Sequence, residues 1–175
     1  TTNKEAKNRI LNLGEEPWRV KNFGFPMIDL INQKNFATEK ELLKKFKLNR
    51  NFPIILFTQH SVTTEYQKVL SQIKPSVEAL KQLAKKNFQI IVTYPNNDIG
   101  GSIIRDQLLK YKQKYTNLNI YSSLGRFTYH GILNLNKSKK YNVICMGNSS
   151  SGIKETPTFK CPTINIGSRQ KNRLR

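Results

Sequence analysis

Short apolar runs alternate along the chain with longer stretches whose apolar residues recur at helical spacing. The runs are Pro53 to Phe57, Phe88 to Thr93, Leu118 to Tyr121, Asn142 to Met146 and Thr163 to Ile166. Each has the length and apolar content of a buried parallel strand. Between them the spacing predicts helices over Thr63 to Lys86, Ser102 to Tyr115 and Phe127 to Leu135, and a short one from about Gly152. Pro75 is expected to divide the first of these or to start a new helix, because its ring removes a donor and crowds the preceding turn. Ahead of the first strand, Ala6, Ile10 and Leu13 share one face of a leading helix that Gly14 stops. Thr38 and Glu41 have the spacing of a capping box, with Leu42, Leu43 and Phe46 as the apolar face behind it. Five strands with helical crossovers make a Rossmann-like α/β parallel sheet. The expected organisation is lead-in helices over 1–50 and the sheet domain over 51–175.

Composition supports a folded domain: 37% hydrophobic residues are enough for a core in a chain of 175. No apolar run approaches the ~20 residues of a membrane-spanning helix. The chain begins at Thr1 without an apolar export signal, which suggests a fragment of something longer in the cytoplasm. Cys145 and Cys161 stand singly in apolar contexts, a pattern that fits neither structural zinc nor a disulfide framework. The charge changes the picture more. Thirty Lys and Arg against 11 Asp and Glu give a net +19, which calls for an anionic partner. Three readings follow: a nucleic-acid surface, a solvated face of lysines spread over helices, or a phosphate-bearing small ligand with the rest as background.

In open parallel sheets, ligands bind outside the carboxyl ends of the strands, so the loops after the runs carry the candidate chemistry. After Phe57 comes Thr58-Gln59-His60-Ser61-Val62-Thr63-Thr64-Glu65, where His60 is a phosphate donor, a general acid or base, or a hydrogen-bonded loop residue. After Thr93 comes Tyr94-Pro95-Asn96-Asn97-Asp98-Ile99-Gly100-Gly101, a site of close backbone approach or simply a turn with a helix cap. Met146-Gly147-Asn148-Ser149-Ser150-Ser151-Gly152 follows a strand and opens a helix, which suits a diphosphate at the helix N-terminus. Glu155, three residues on, either closes a capping box or binds a pair of sugar hydroxyls. The last loop, Gly167 to Arg173, is a second phosphate contact or an exposed basic tail.

Together these stretches, with Glu5-Ala6 to Gly14-Glu15, Pro17-Trp18-Arg19-Val20 and Pro162 to Lys171, resemble the C-terminal half of the hydrolysing UDP-N-acetylglucosamine 2-epimerases of sialic and nonulosonic acid biosynthesis. The resemblance implies the C-terminal domain of a GT-B two-domain fold, holding UDP in a cleft against an N-terminal domain absent from this chain; the closing C-terminal helices are also expected to be missing. By resemblance Ser149 and Ser150 bind the diphosphate, Glu155 the ribose hydroxyls and Arg169 the phosphate side. Leu124 and the turn before Tyr129 line the uracil through backbone atoms, and His60 and Asn96 face the diphosphate and sugar. The implied reaction eliminates UDP across C1 and C2 to give a glycal intermediate, to which water adds with inversion at C2, giving N-acetylmannosamine and UDP. His60 is the implied catalytic residue of this half.

The resemblance further implies a UDP-sugar ligand and a homo-oligomer when intact; no cofactor, no metal site among the residues singled out, and neither membrane nor specific nucleic-acid partners are expected. The stretch from Tyr129 to Asn148, with Asn134 to Lys140, is longer than the family pattern, so the uracil side is expected to be shaped differently. Alone, the chain is expected to be inactive and at most a weak UDP binder. The alternatives are an epimerase acting on UDP-diacetylbacillosamine, a GT-B glycosyltransferase nucleotide domain, and a basic nucleic-acid-binding module.

Overall fold

The computed structural model describes residues 1–112, 115, 117–138 and 140–173. They divide into two compact units, Thr1–Asn35 and Phe36–Arg175. In the first, helix α1 (Lys4–Asn12) is capped by Asn3, whose Oδ1 accepts the Ala6 N–H at 2.7 Å. It ends just before Gly14, and a 3-10 turn over Pro17–Arg19 leads to α2 (Met27–Asn32).

The second unit opens with α3 (Glu39–Phe46), so the last helix of the expected lead-in groups with the sheet. Its capping box is formed in full: the Thr38 N–H donates to Glu41 Oε2 at 2.7 Å and the Glu41 N–H to Thr38 Oγ1 at 3.4 Å. Then come β1 (Ile54–Thr58), α4 (Val69–Lys85), β2 (Gln89–Thr93), α5 (Gly101–Lys112) and β3 (Leu118–Tyr121). The chain continues through α6 (Gly125–Leu135), β4 (Val143–Gly147), α7 (Ser151–Lys154) and β5 (Thr163–Asn165). The strands form one wholly parallel sheet in the order β3-β2-β1-β4-β5. Every residue of β1 is buried, as a central parallel strand covered on both faces requires. On one face Ile55, Phe57, Ile90 and Val92 pack under Ile73, Val77 and Leu80 of α4 and Ile104 and Leu108 of α5. On the other, α6 buries Ile132, Leu133 and Leu135.

Two sequence expectations are corrected: the helix expected from Thr63 begins at Val69, because Thr63–Lys68 is a 3-10 stretch interrupted by non-helical backbone at Glu65, and the effect of Pro75 differs. Pro75 does not divide α4, which runs unbroken from Val69 to Lys85. Ile73, Ser76, Val77 and Leu80 are buried on both sides of it while Pro75 and Ser71 are exposed. The carbonyl deprived of its donor therefore faces water, and burial of the inner face offsets the ring's cost. The helix after the serine loop is short, as expected: a single turn followed by a 3-10 turn over Thr156–Phe159. So short a stack of peptide dipoles contributes little of the field expected at a helix N-terminus. Asn136–Ser138 form a 3-10 turn in the long stretch before β4; Lys139 lies outside the described residues.

Candidate functional site

The chain leaves β1 toward β2 and β3, then crosses back to β4 on β1's other side. This reversal sets the loops after β1 and β4 side by side, and ligands of open α/β sheets bind at such a crevice. Gly147, the last residue of β4, has φ 133°, and a Cβ there would stand 1.9 Å from the Thr58 carbonyl oxygen. Only glycine lets the two strand ends approach this closely.

Asn148 is the hub of the site. Its carboxamide takes both backbone groups of His60: the His60 N–H donates to Asn148 Oδ1 at 2.7 Å, and Asn148 Nδ2 donates to the His60 carbonyl at 2.8 Å. Its own N–H donates to Thr58 O at 3.0 Å. Its carbonyl accepts from Arg169 Nη1 at 3.1 Å and from Gln170 Nε2 at 2.7 Å. Four loop segments are thereby tied together, because His60 Nδ1 also accepts the Asn96 N–H at 3.0 Å. With Nδ1 occupied as an acceptor, the ring proton of neutral His60 resides on Nε2. Burial, and then the nearby Arg169 guanidinium, hold this imidazole below its ordinary value near 6.5.

Beside this network lies a cavity of about 400 Å³ lined by residues that include Ser61, Glu65, Asp98, Ser168, Arg169 and Lys171. Ser61 is buried, and its hydroxyl has no hydrogen-bond partner among the described residues. Glu65 accepts from Ser168 Oγ at 3.1 Å and from Gln72 Nε2 at 2.8 Å, linking the loop before α4 to the loop after β5. A second cavity of about 430 Å³ lies along the Asn96 loop, with Asp98, Gly101 and Arg105 in its wall.

The candidate residues fall into two groups. His60, Asn96 and Arg169 belong to the Asn148 network, and Ser149 and Ser150 continue the chain from it, both half-buried. Leu124 and Glu155 lie outside that network. Leu124 is the N-cap residue of α6, and Glu155 closes neither expected contact of a capping box. Its Oε2 instead sits 2.7 Å from Nε2 of His130, a fully buried residue of α6. Three residues of evident structural weight had no assignment from sequence: Asn148, Gln170 and His130. Asn148 and Gln170 are single polar positions in polar loops, and their burial comes from neighbours distant in the chain. His130 carried only the signal of being the second of two histidines.

Both cysteines are free and buried; desolvation pushes Cys145 up to about 11 and Cys161 up to about 12. Among the described residues no cluster of His, Cys, Asp or Glu has metal-binding geometry, and no helix is long and apolar enough to cross a membrane.

The parallel sheet with its strand order and its polar loops gathered at one edge defines a Rossmann-like α/β domain. The fold recurs in a solved structure of UDP-N-acetylglucosamine 2-epimerase from Neisseria meningitidis bound to UDP-GlcNAc, with a TM-score of 0.67 at 17% identity over 94% of this chain and 43% of that one. The family model of UDP-N-acetylglucosamine 2-epimerase matches residues 1–175, and the chain belongs to that family. It is 37% identical over 170 residues to a GDP/UDP-N,N'-diacetylbacillosamine 2-epimerase (hydrolyzing) of Campylobacter jejuni, covering 97% of this chain. It is 34% identical over 174 residues to a UDP-N-acetylglucosamine 2-epimerase of Neisseria meningitidis, covering 98% of this chain. In both cases the chain spans 42% of the relative's length.

Proposed function

We propose that this chain is the UDP-holding, C-terminal half of a hydrolysing UDP-N-acetylglucosamine 2-epimerase. In the intact enzyme UDP leaves C1 as a proton leaves C2, giving a glycal, and water then adds across that double bond, hydroxyl to C1 and proton to C2 with inversion, to give N-acetylmannosamine and UDP. The observation that carries the reading is the Asn148 network, which joins the His60 loop, the Asn96 loop, the serine loop and the Arg169 loop at one edge of the sheet.

In this reading Ser149, Ser150 and Arg169 hold the diphosphate, Glu155 the ribose hydroxyls, and Leu124 with the turn before Tyr129 the uracil. Asn96 and His60 face the diphosphate and the sugar. The Asn96 N–H on Nδ1 leaves Nε2–H of a neutral His60 as the group to meet the departing phosphate. A neutral N–H there donates a hydrogen bond to the leaving oxygen and offsets charge that develops as the C1–O bond breaks. The missing N-terminal domain supplies the other wall of the cleft and the remaining catalytic groups, the intact enzyme works as a homo-oligomer in the cytoplasm, and the chain has no specific nucleic-acid partner.

The name of the Campylobacter jejuni relative supports a second reading, with UDP-diacetylbacillosamine as the substrate. Offering each UDP-sugar to the intact enzyme and identifying the released 2-epimer by NMR separates the two. Calorimetry of the chain with UDP, UMP and a short DNA duplex tests the binding half. UDP binding that exceeds UMP binding and persists at 0.15 M salt, roughly physiological ionic strength, supports the reading. Binding of DNA alone, lost with added salt, overturns it.

A further inference from the structure

Glu155 stands where the single turn of α7 gives way to a 3-10 turn, so no regular element holds its side chain. What holds it is His130, whose Nε2 lies 2.7 Å from Glu155 Oε2. His130 is 1% exposed and Glu155's side chain is 16% exposed, so water competes little for this contact. The ring is packed in place against Phe159, with centroids 5.4 Å apart, and Tyr129, 6.4 Å away, flanks it. Its other nitrogen, Nδ1, is buried with no hydrogen-bond partner among the described residues. A leucine would fill the same space without burying an unsatisfied atom, so packing does not explain a histidine here. Among the described residues, the one hydrogen-bond contact of the ring is with Glu155.

We propose that His130 is the positioning residue of the nucleoside side: Nε2–H fixes one oxygen of Glu155, and the other oxygen, which accepts no hydrogen bond among the described residues, is presented to the cis-diol of a ribose. The inference rests on the reading of Glu155 as the ribose partner. It explains how Leu124 and Glu155, separate from the Asn148 network, belong together: Leu124 is the residue at the N-cap position of α6 and His130 lies on the same helix. One helix thus sets the uracil-side turn and, through His130, the ribose carboxylate. Titratable groups near the pair include Tyr129 and Cys145, and Lys137, whose Nζ lies over the Phe159 ring.

The test is the discrimination between UDP and 2′,3′-dideoxy-UDP, measured by calorimetry on the protein and its variants. The wild type is expected to bind UDP about tenfold or more tightly than the dideoxy compound, since hydrogen bonds to a charged group are lost. Glu155→Ala should collapse that ratio toward one. His130→Leu should collapse it too while leaving affinity for dideoxy-UDP within about twofold, and His130→Gln, which retains a donor, should restore a substantial part of it. A stable His130→Leu protein that keeps the full ratio overturns the role of His130 alone, because Glu155→Ala still reports the ribose contact. A wild type that does not distinguish the two ligands, or binds neither, removes the ribose role of Glu155 and this inference with it.

Discussion

Asn148 and His60 are 88 positions apart in the chain, yet the side chain of one satisfies both backbone hydrogen-bonding groups of the other, at 2.7 and 2.8 Å. The loop bearing the histidine is thus held by its main chain, and the imidazole is left to other partners. Asn148 does this from a position fixed by its own backbone bonds to Thr58, Arg169 and Gln170.

Asn148→Ala should therefore destabilise the fold by about 2 to 3 kcal/mol, since two backbone groups lose their partners in a poorly hydrated site. Urea unfolding with an unchanged m-value is the check. Gly147→Ala should be worse, at about 3 kcal/mol or more, from the clash with the Thr58 carbonyl and the left-handed backbone.

His60→Ala in the intact enzyme should lower kcat by about 10² to 10³, the usual span for losing one positioned donor to developing charge. Glu155→Ala should act mainly on UDP binding and KM. Steady-state kinetics of both variants read this, and equal effects confined to KM would remove the catalytic role given to His60.

The depressed His60 pKa has a signed consequence for stability. The unfolded chain takes up a proton near 6.5 while folded His60 still resists it, so the fold loses stability as pH drops from that value toward the lower folded value. Above about pH 7 both states are neutral at this residue and the contribution is flat. Urea midpoints between pH 5 and 8 should show a fall on the acid side that is shallower in His60→Gln.

Pro75→Ala should stabilise the protein by about 1 to 3 kcal/mol, because it restores a helical donor at an exposed position and relieves the ring's crowding of the preceding turn. A rise in Tm measured by calorimetry or circular dichroism checks it.

Neither thiol should react with iodoacetamide at pH 8 in the native protein. Both are buried, and desolvation holds Cys145 at about 11 and Cys161 at about 12. Mass spectrometry should find full labelling only after denaturant is added.

Local chemistry was legible in the sequence. All five apolar runs are strands, the Thr38 and Glu41 pair forms its reciprocal cap, and the polar loops do follow the strands. Pro75 was misjudged because its effect depends on which face of the helix meets water, a tertiary matter. The site was legible as a set of loops and not as a network. Asn148 differs in no local respect from any asparagine beside a run of serines, and its role exists only once β4 lies next to β1. The choice of His130 as the partner of Glu155 is likewise hidden, because 25 positions separate them and no periodicity joins α6 to the turn after α7.

The reversal of strand order at β1 also bears on the time at which the site can exist. During synthesis the His60 loop emerges early and can join β1, α4, β2, α5 and β3, whose contacts are between neighbours in the chain. It then waits for Asn148, and Asn148 in turn for Arg169 and Gln170. Chain segments this far apart associate late, since closing the intervening loop has an entropic cost that local pairing avoids. The loop cluster at this edge is therefore the last part of the domain to assemble, and a ribosome-bound chain released before Asn148 would carry paired β1, β2 and β3 with an unfastened histidine loop.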